Sequence, residues 1–199
     1  NKELAGKTLG IFGLGHIGKA LAQRAVALGV KVQYFDVVRQ SEAEKEWGLK
    51  YLFPEELLSS SDIISYHLPK TSFTHHLINR NSLRKMRPDA LLINSSRGYI
   101  QDENAIYEAL TSGQISAAGL DVFEVEPLPE NSPLRKLENV VLTPHSAPDN
   151  ESLILAVRNA LDNLLRVSNG NEPQSIAVDH EEVTRQFLER FPEVKLTAS

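Results

Sequence analysis

Three short motifs hold the side chains that could carry chemistry. Arg97 lies in NSSRG, Glu126 in DVFEVEP and His145 in TPH, and each motif follows an apolar, strand-like run. A guanidinium is permanently charged and can hold a carboxylate in a fork. A carboxylate beside an imidazole favours the protonated ring, which can donate to a developing oxyanion. Together the three side chains predict an anion anchor next to a proton donor.

Each of these residues also has a plainer interpretation when taken alone. Arg97 would more often be half of a surface ion pair, and His145 is equally well explained as a proline-flanked loop histidine with no proton role. Glu124 is a second carboxylate in the same motif as Glu126. Adjacent parallel strands would bring the three motifs to one edge of a sheet, so their combination favours a shared site.

A glycine fingerprint lies upstream of these motifs, between a strand-like run and a helix-like one, which is the setting that dinucleotide turns require. The first glycine permits a tight turn, the second lets backbone approach a pyrophosphate, and the third lets helix and strand pack closely. The predicted phosphate-binding turn is Gly13, Leu14, Gly15, His16, Ile17 and Gly18. On its own, the motif is equally well explained as a glycine-rich turn without a ligand.

Asp36 strengthens the nucleotide interpretation. It stands at the end of the next predicted strand, where a carboxylate can accept hydrogen bonds from the adenosine ribose. The 2′-phosphate of NADP would meet like-charge repulsion there, so we predict NAD as the cofactor. The nearby Arg39 leaves NADP as an alternative.

The elements that must position these residues alternate between short apolar runs and longer amphipathic stretches. Strands are predicted at Thr8–Phe12, Lys31–Phe35, Asp62–Tyr66, Ala90–Asn94, Ser116–Leu120 and Val140–Leu142. Helices are predicted at Ile17–Leu28, Pro54–Ser59, Glu103–Thr111 and Glu151–Ser168. Parallel neighbours need long crossovers, so the pattern predicts an α/β fold with a doubly wound parallel sheet of the Rossmann type. The ligand crevice should lie beyond the carboxyl ends of its strands.

The chain divides into residues 1–170, which we assign to one cofactor-binding domain, and a polar, charge-rich tail at residues 171–199. The tail has a weak helical pattern at Val183–Phe191, and we expect it to lack a packing partner. An apolar stripe on the last helix of the domain is predicted to face the core rather than a cofactor. The stripe consists of Leu153, Val157, Ala160, Leu161, Leu164 and Leu165.

Composition argues against several classes of function. The 199 residues carry a formal net charge of −5 without a basic stripe, so nucleic acid is not an expected partner. No apolar run approaches the roughly 20 residues of a membrane helix, so no membrane role is predicted. The chain has no cysteine and no signal-peptide pattern, and we expect a cytoplasmic protein.

Metal chemistry is not predicted either. No pair of histidines has metal-ligand spacing with a supporting carboxylate. We expect His75 and His76 on an exposed segment and His180 in the tail, without a chemical role.

With its motifs in this order, the chain resembles the NAD-binding domain of the D-isomer-specific 2-hydroxyacid dehydrogenases over roughly residues 4–170. The resemblance implies a catalytic triad in which Arg97 binds substrate, His145 is the acid/base and Glu126 tunes His145. Glu126 is implied rather than Glu124 because the family's carboxylate directly precedes the proline. The implied reaction is hydride transfer between NADH and a 2-oxo acid or D-2-hydroxy acid.

The resemblance also implies cofactor contacts beyond the glycine turn. Asp121 corresponds to the residue that contacts the nicotinamide carboxamide, and His67 and Pro69 lie in the loop that passes over the cofactor. Further polar contacts are implied for Thr71, Ser96 and Ser146.

Two departures from the family pattern bear on these implications. The sequence begins almost at the first strand, so we expect the substrate domain to be largely missing and residues 171–199 to be its remnant or a linker. The family's homodimer uses a helical segment that precedes the first strand, so the resemblance implies a homodimer with weakened contacts. Pro148 stands where glycine is common, which could alter the loop behind His145.

A second hypothesis is an NAD(H)-binding module without turnover. Such a module would be an isolated cofactor domain or a regulatory protein similar to the dehydrogenase-related transcriptional corepressors. The retained triad favours an enzyme, whereas the missing domain favours the module.

Overall fold

The computed structural model describes residues 3–146, 150–174, 178–194 and 196, which are built around one parallel sheet. Its described strands are β1 (Thr8–Phe12), β2 (Lys31–Phe35), β3 (Lys50–Tyr51), β4 (Ile63–Tyr66), β5 (Leu91–Asn94), β6 (Ala117–Leu120) and β7 (Val140–Leu142). They pair in the order β3-β2-β1-β4-β5-β6-β7, always in parallel. The chain fills one side of β1 and then crosses to β4, so β1 and β4 meet at the switch point of a doubly wound sheet. The predicted fold class is confirmed.

Helices connect the strands and continue beyond the sheet. They are α1 (His16–Ala27), α2 (Ser41–Trp47), α3 (Pro54–Ser60), α4 (Arg80–Lys85), α5 (Glu103–Thr111), α6 (Asn150–Ser168) and α7 (His180–Arg190). Short 3-10 turns lie at Ser72–Thr74, Gly98–Ile100 and Pro133–Lys136. The sequence predicted six strands and four helices at these places to within two residues, and it missed β3, α2 and α4.

Local chemistry sets several helix ends. Pro54 occupies the first position of α3, where its fixed φ suits the helix and its missing amide hydrogen costs nothing. Asp102 caps α5 by accepting a hydrogen bond from the amide of Ala105. The helix α2 ends at Gly48, which adopts a φ of 69° that residues with a Cβ avoid.

The strands end level with one another at the carboxyl edge of the sheet. Phe12 pairs with both Phe35 and Tyr66, and Tyr66 pairs with Asn94. Two clusters of buried apolar side chains pack on opposite faces of the sheet, as the alternation of Ile11 and Phe12 between them shows. Because the strand ends are level, the loops that follow them share one crevice.

The apolar stripe of α6 is not part of the core, so that prediction is wrong. Helical periodicity reports an apolar face but supplies no surface to cover it, and no described element buries this one. The Leu153 side chain lies outside the described residues. The other stripe side chains are exposed, and the large ones are between 52% and 67% exposed: Val157, Ala160, Leu161, Leu164 and Leu165.

The C-terminal tail packs against the domain instead of lacking a partner. Phe187 of α7 is only 7% exposed, and its ring centroid lies 5.6 Å from that of Phe35 at the end of β2. Thr184, one turn earlier, is also buried. The expectation of an unpartnered tail is therefore wrong for α7, whose apolar side chains recur at helical spacing and cover the edge of the core.

Candidate active site

The glycine turn has the form that its sequence predicted. Gly13 has a φ of 91°, and a Cβ added there would lie 2.4 Å from the carbonyl oxygen of His67. A Cβ on Gly18 would lie 2.1 Å from the carbonyl oxygen of Gly13, so the third glycine lets α1 pack on the turn. Nothing lies within 4 Å of the corresponding position on Gly15, which leaves room for a ligand. His16 and Ile17 are exposed in the first turn of α1, which carries no acidic residue.

Asp36 joins the end of β2 to this turn. Its carboxylate accepts hydrogen bonds from the amides of Leu14, at 2.6 Å, and Val38, at 2.9 Å. Burial is the largest influence on its pKa and raises it, while the two amides act in the opposite direction. The carboxylate therefore lies after β2 and beside the glycine turn, and its contact with an adenosine ribose stays a prediction.

Glu126 and His145 form a hydrogen-bonded pair. Nδ1 of His145 lies 2.8 Å from one carboxylate oxygen of Glu126, whose other oxygen accepts the amide of Phe123 at 3.0 Å. The hydrogen bond from His145 is the main reason why the pKa of Glu126 lies below its ordinary value. Non-glycine residues seldom have a positive φ, yet His145 has a φ of 51°. The loop thus holds the imidazole against the carboxylate in a backbone conformation that costs energy.

Arg97 lines the same cavity, of about 350 Å³, as Glu126 and His145. The guanidinium donates to the carbonyl oxygen of Ser96 at 2.6 Å and has no acidic partner among the described residues. Lys70 and Tyr99 also line this cavity, with the ammonium of Lys70 4.6 Å from the ring centroid of Tyr99. The cavity therefore presents a free cation beside a carboxylate-supported imidazole.

Gly98 fixes the distance between the two loops that carry this chemistry. A Cβ added to Gly98 would lie 1.8 Å from the carbonyl oxygen of Phe123. Only glycine lets the Arg97 loop approach the loop of Glu126 this closely. The carboxylate of Glu124 lines the same cavity but accepts a hydrogen bond from the amide of Glu103 at 2.8 Å, which ties it to the start of α5.

Asp121 follows β6 and has an unused acceptor. Its Oδ1 accepts hydrogen bonds from the hydroxyl of Thr143 and, at 3.3 Å, from the amide of Ser146. Its Oδ2 is buried and has no hydrogen-bond partner among the described residues. A buried carboxylate oxygen without a donor is costly, so this atom fits a ligand group that donates, such as the carboxamide of nicotinamide.

The other predicted cofactor contacts lie around the same crevice but have protein partners. Nε2 of His67 lies 2.9 Å from the hydroxyl of Ser65, and burial lowers the pKa of His67. The hydroxyl of Thr74 donates to the carbonyl oxygen of Pro69, and the buried hydroxyl of Thr71 donates to the hydroxyl oxygen of Thr74 at 3.1 Å. The hydroxyl of Ser96 is directed to Asn94 at 2.8 Å. Their contacts to a cofactor stay predictions, and Pro148 lies outside the described residues.

A buried pair of amide side chains that the sequence did not reveal supports the Arg97 loop. Asn94 and Gln101 are both 0% exposed, and Nδ2 of Asn94 donates to Oε1 of Gln101 at 2.8 Å. Gln101 donates in turn to the carbonyl of Val122 at 2.9 Å, and Asn94 to that of Arg97 at 3.2 Å. The only signal in the sequence was Asn94 at the end of a strand, since a lone glutamine carries no pattern.

Neither a cluster of metal ligands nor a membrane-spanning helix occurs in the described part of the chain. Within it, no three side chains of His, Cys, Asp or Glu come together as a metal ion would require. Among its helices, none combines the length and apolar character needed to cross a membrane.

A glycine turn, a carboxylate after β2, an unpaired Asp121 oxygen and the hydrogen-bonded pair of Glu126 and His145 lie at one sheet edge, an arrangement typical of the class of nicotinamide-dependent dehydrogenases. The chain belongs to the family described as D-isomer specific 2-hydroxyacid dehydrogenase, NAD binding domain, whose profile matches residues 1–147. Both the family and the NAD cofactor predicted from the sequence are confirmed.

Relatives agree with this assignment. The chain is 44% identical over 175 residues to a glyoxylate reductase of Korarchaeum cryptofilum, covering 87% of this chain and 53% of the relative. It is 53% identical over 142 residues to a glyoxylate reductase of Thermococcus litoralis, covering 71% and 43%. The crystal structure of D-lactate dehydrogenase with NAD⁺ from Lactobacillus jensenii superposes with a TM-score of 0.80 at 34% identity, covering 89% of this chain and 57% of that one. The chain spans about half the length of the curated relatives it matches.

Proposed function

We propose that the full-length protein reduces a small 2-oxo acid to the D-2-hydroxy acid with NADH. The observation that carries the proposal is the 2.8 Å contact between His145 and Glu126 in the cavity that Arg97 also lines. Relatives that bear the names glyoxylate reductase and hydroxypyruvate reductase support a small substrate of this class.

Arg97 is the group that would bind the substrate. It has no acidic partner among the described side chains, so its charge is available to a ligand. A planar guanidinium binds a carboxylate in two parallel hydrogen bonds and polarises a neighbouring carbonyl. Arg97 thus orients the 2-oxo acid and stabilises the negative charge that develops on its carbonyl oxygen.

His145 would deliver the proton. Its Nδ1 faces Glu126, which leaves Nε2 as the ring nitrogen available to the substrate oxygen. Glu126 is itself fixed by the amide of Phe123, so it holds the ring in one orientation and stabilises the imidazolium. NADH supplies the hydride when bound, and His145 protonates the resulting alkoxide. In the reverse direction the same nitrogen accepts the proton of the D-2-hydroxy acid.

The residues that would hold the cofactor lie on the other side of the crevice. The turn at Gly13, Gly15 and Gly18 would bind the diphosphate, and Asp36 the adenosine ribose. Oδ2 of Asp121 would accept a hydrogen bond from the N–H group of the nicotinamide carboxamide. We further propose that the protein acts in the cytoplasm as a homodimer, in keeping with a chain that has no cysteine and an exposed apolar stripe on α6.

The test uses the full-length protein and follows NADH oxidation with glyoxylate, hydroxypyruvate, pyruvate and bulkier 2-oxo acids. Replacing His145 by Gln should lower turnover by about 10²-fold or more, because general acid catalysis contributes on the order of 10² to 10⁴. NADH affinity should stay close to that of the wild type. Normal turnover in this variant would eliminate the acid role.

The matched control compares two carboxylates of one loop. Glu126→Gln should lower turnover because it removes the charge that supports His145, whereas Glu124→Gln should lower it less, since Glu124 is hydrogen-bonded to the amide of Glu103 rather than to His145. If the full-length protein binds NADH but oxidises it with none of these acids, the protein is a binding module and the proposed reaction is refuted.

A further inference from the structure

The helix α7 lies across the crevice at the switch point of the sheet. At its first turn, one carboxylate oxygen of Glu181 accepts the amide of Ser72 at 2.5 Å and the other accepts the Ser72 hydroxyl at 2.7 Å. Ser72 belongs to the loop that follows β4. These two hydrogen bonds are the main reason why the pKa of Glu181 lies below its ordinary value. One end of α7 is therefore fastened to the β4 side of the crevice.

The other contacts of α7 are apolar and lie on the β2 side. The Phe187 ring meets Phe35, the last residue of β2, with ring centroids 5.6 Å apart and planes at 72°. Phe191 meets Phe53, just after β3, at 5.8 Å. Val37, the residue after Asp36, packs against the same apolar cluster as Phe187. The helix thus covers the carboxyl ends of β2 and β3.

The two regions that α7 contacts, at Ser72 and at Phe35, flank the place where the adenosine half of a dinucleotide would lie. β2 and β4 are the two neighbours of β1, whose carboxyl end leads into the glycine turn. In a doubly wound sheet, the ligand occupies the crevice beyond the carboxyl ends at the switch point, with its ribose at the acid that ends β2. A helix attached to both neighbours of β1 spans that part of the crevice.

The chemistry of α7 also opposes a bound dinucleotide. Asp179, Glu181 and Glu182 place three carboxylates at the beginning of the helix. His180 lies near enough to Asp36 for its charge to influence that carboxylate. Two phosphates entering the crevice would meet the like charges of these carboxylates.

We propose that α7 is an autoinhibitory strap that occupies the adenosine subsite and must leave it before NAD(H) binds. This inference rests on the cofactor assignment made above. Because the closed and open states exclude each other at this subsite, the apparent dissociation constant of the cofactor equals the intrinsic value divided by the fraction of open molecules. Loosening α7 therefore tightens cofactor binding without any new contact to the cofactor.

The first experiment uses the 199-residue chain and two neighbouring glutamates. Glu181→Ala removes the attachment to Ser72, whereas Glu182→Ala removes only contacts within α7, to Arg185 and Gln186. Calorimetric titration with ADP-ribose, which carries the adenosine half alone, should give a dissociation constant about 3- to 10-fold lower for Glu181→Ala. Glu182→Ala removes the same unit charge but leaves the attachment to Ser72, so it should lower the dissociation constant less than Glu181→Ala does. Reduced nicotinamide mononucleotide, which lacks the adenosine half, should bind all three proteins equally.

The second experiment needs no substitution. Hydrogen exchange of the wild-type chain should become faster across residues 180–190 when NAD⁺ is saturating, because the strap is displaced, and slower in α1. Slower exchange across α7 would make it part of the bound cofactor site and would overturn the proposal, as would equal ADP-ribose affinities in the three proteins. If no protein of the set binds NADH, the cofactor assignment and the proposed function fail along with the strap.

Discussion

Replacing Gln101 by Leu should destabilise the chain because it breaks the buried link between the Arg97 loop and the segment after β6. Gln101 is 0% exposed and joins Asn94 to the carbonyl of Val122. Leucine has a similar size but no polar atoms, so the variant leaves the carbonyl of Val122 without its Gln101 donor and Nδ2 of Asn94 with only its 3.2 Å bond to the carbonyl of Arg97.

The magnitude follows from the two groups that lose a partner. A buried polar group without a hydrogen bond costs about 1–3 kcal/mol, and the added apolar atoms of leucine offset part of the total. We expect the free energy of unfolding to fall by about 2–4 kcal/mol, which is a large share of the 5–15 kcal/mol typical of a domain.

Urea unfolding followed by far-ultraviolet circular dichroism measures this change. The control is Gln23→Leu, the same substitution on the exposed face of α1, which should shift the free energy by less than about 0.5 kcal/mol. The slope of the unfolding free energy against urea concentration should be equal in the wild type and both variants, so that differences in midpoint report differences in stability alone. If the midpoint for Gln101→Leu coincides with that of the control, the buried amide pair does not hold the two loops together.

Three further predictions concern single carboxylates. Asp36→Ser should raise the affinity for NADPH relative to NADH, and fluorescence titrations that give an unchanged ratio would refute the ribose-reading role. Asp121→Ala should weaken NADH binding by about 10- to 100-fold, the value of a hydrogen bond to a charged group, with ADP-ribose affinity unchanged, and an equal loss for both ligands would count against it. The pKa of the Glu126 carboxylate should lie below the ordinary value for glutamate by NMR, so its support of His145 persists at higher pH and is lost as the pH falls through that pKa. His145→Gln should move the pKa back up, and an unmoved pKa would show that the imidazole is not the cause.

The sequence predicted the parallel sheet and the glycine turn well because both depend on local signals. Apolar runs bounded by turn residues report strands, and glycines such as Gly13 and Gly18 are required by backbone approach at fixed spacing. The strand β3 escaped prediction because two residues, Lys50 and Tyr51, are too few to show any period. The helix α2 escaped it because only Ala43 on it is buried, so no apolar face marks it.

What the sequence left undetermined depends on which surfaces meet. The apolar faces of α6 and α7 have similar patterns, yet Leu161 is 54% exposed and Phe187 only 7%. Periodicity describes a face, whereas burial requires a second surface that lies elsewhere in the chain. The contact of Glu181 with Ser72 joins residues 109 positions apart, and no local pattern predicts such a pair.

Because His145 has a positive φ, a substitution that stabilises the fold at this position would also remove the proposed acid/base. A left-handed backbone costs a residue with a Cβ about 1–2 kcal/mol, which glycine would recover at this position. A library screened only for heat resistance should therefore enrich glycine or asparagine at residue 145 and discard the imidazole. Improvement of this scaffold by directed evolution would have to hold that residue fixed and gain its robustness elsewhere.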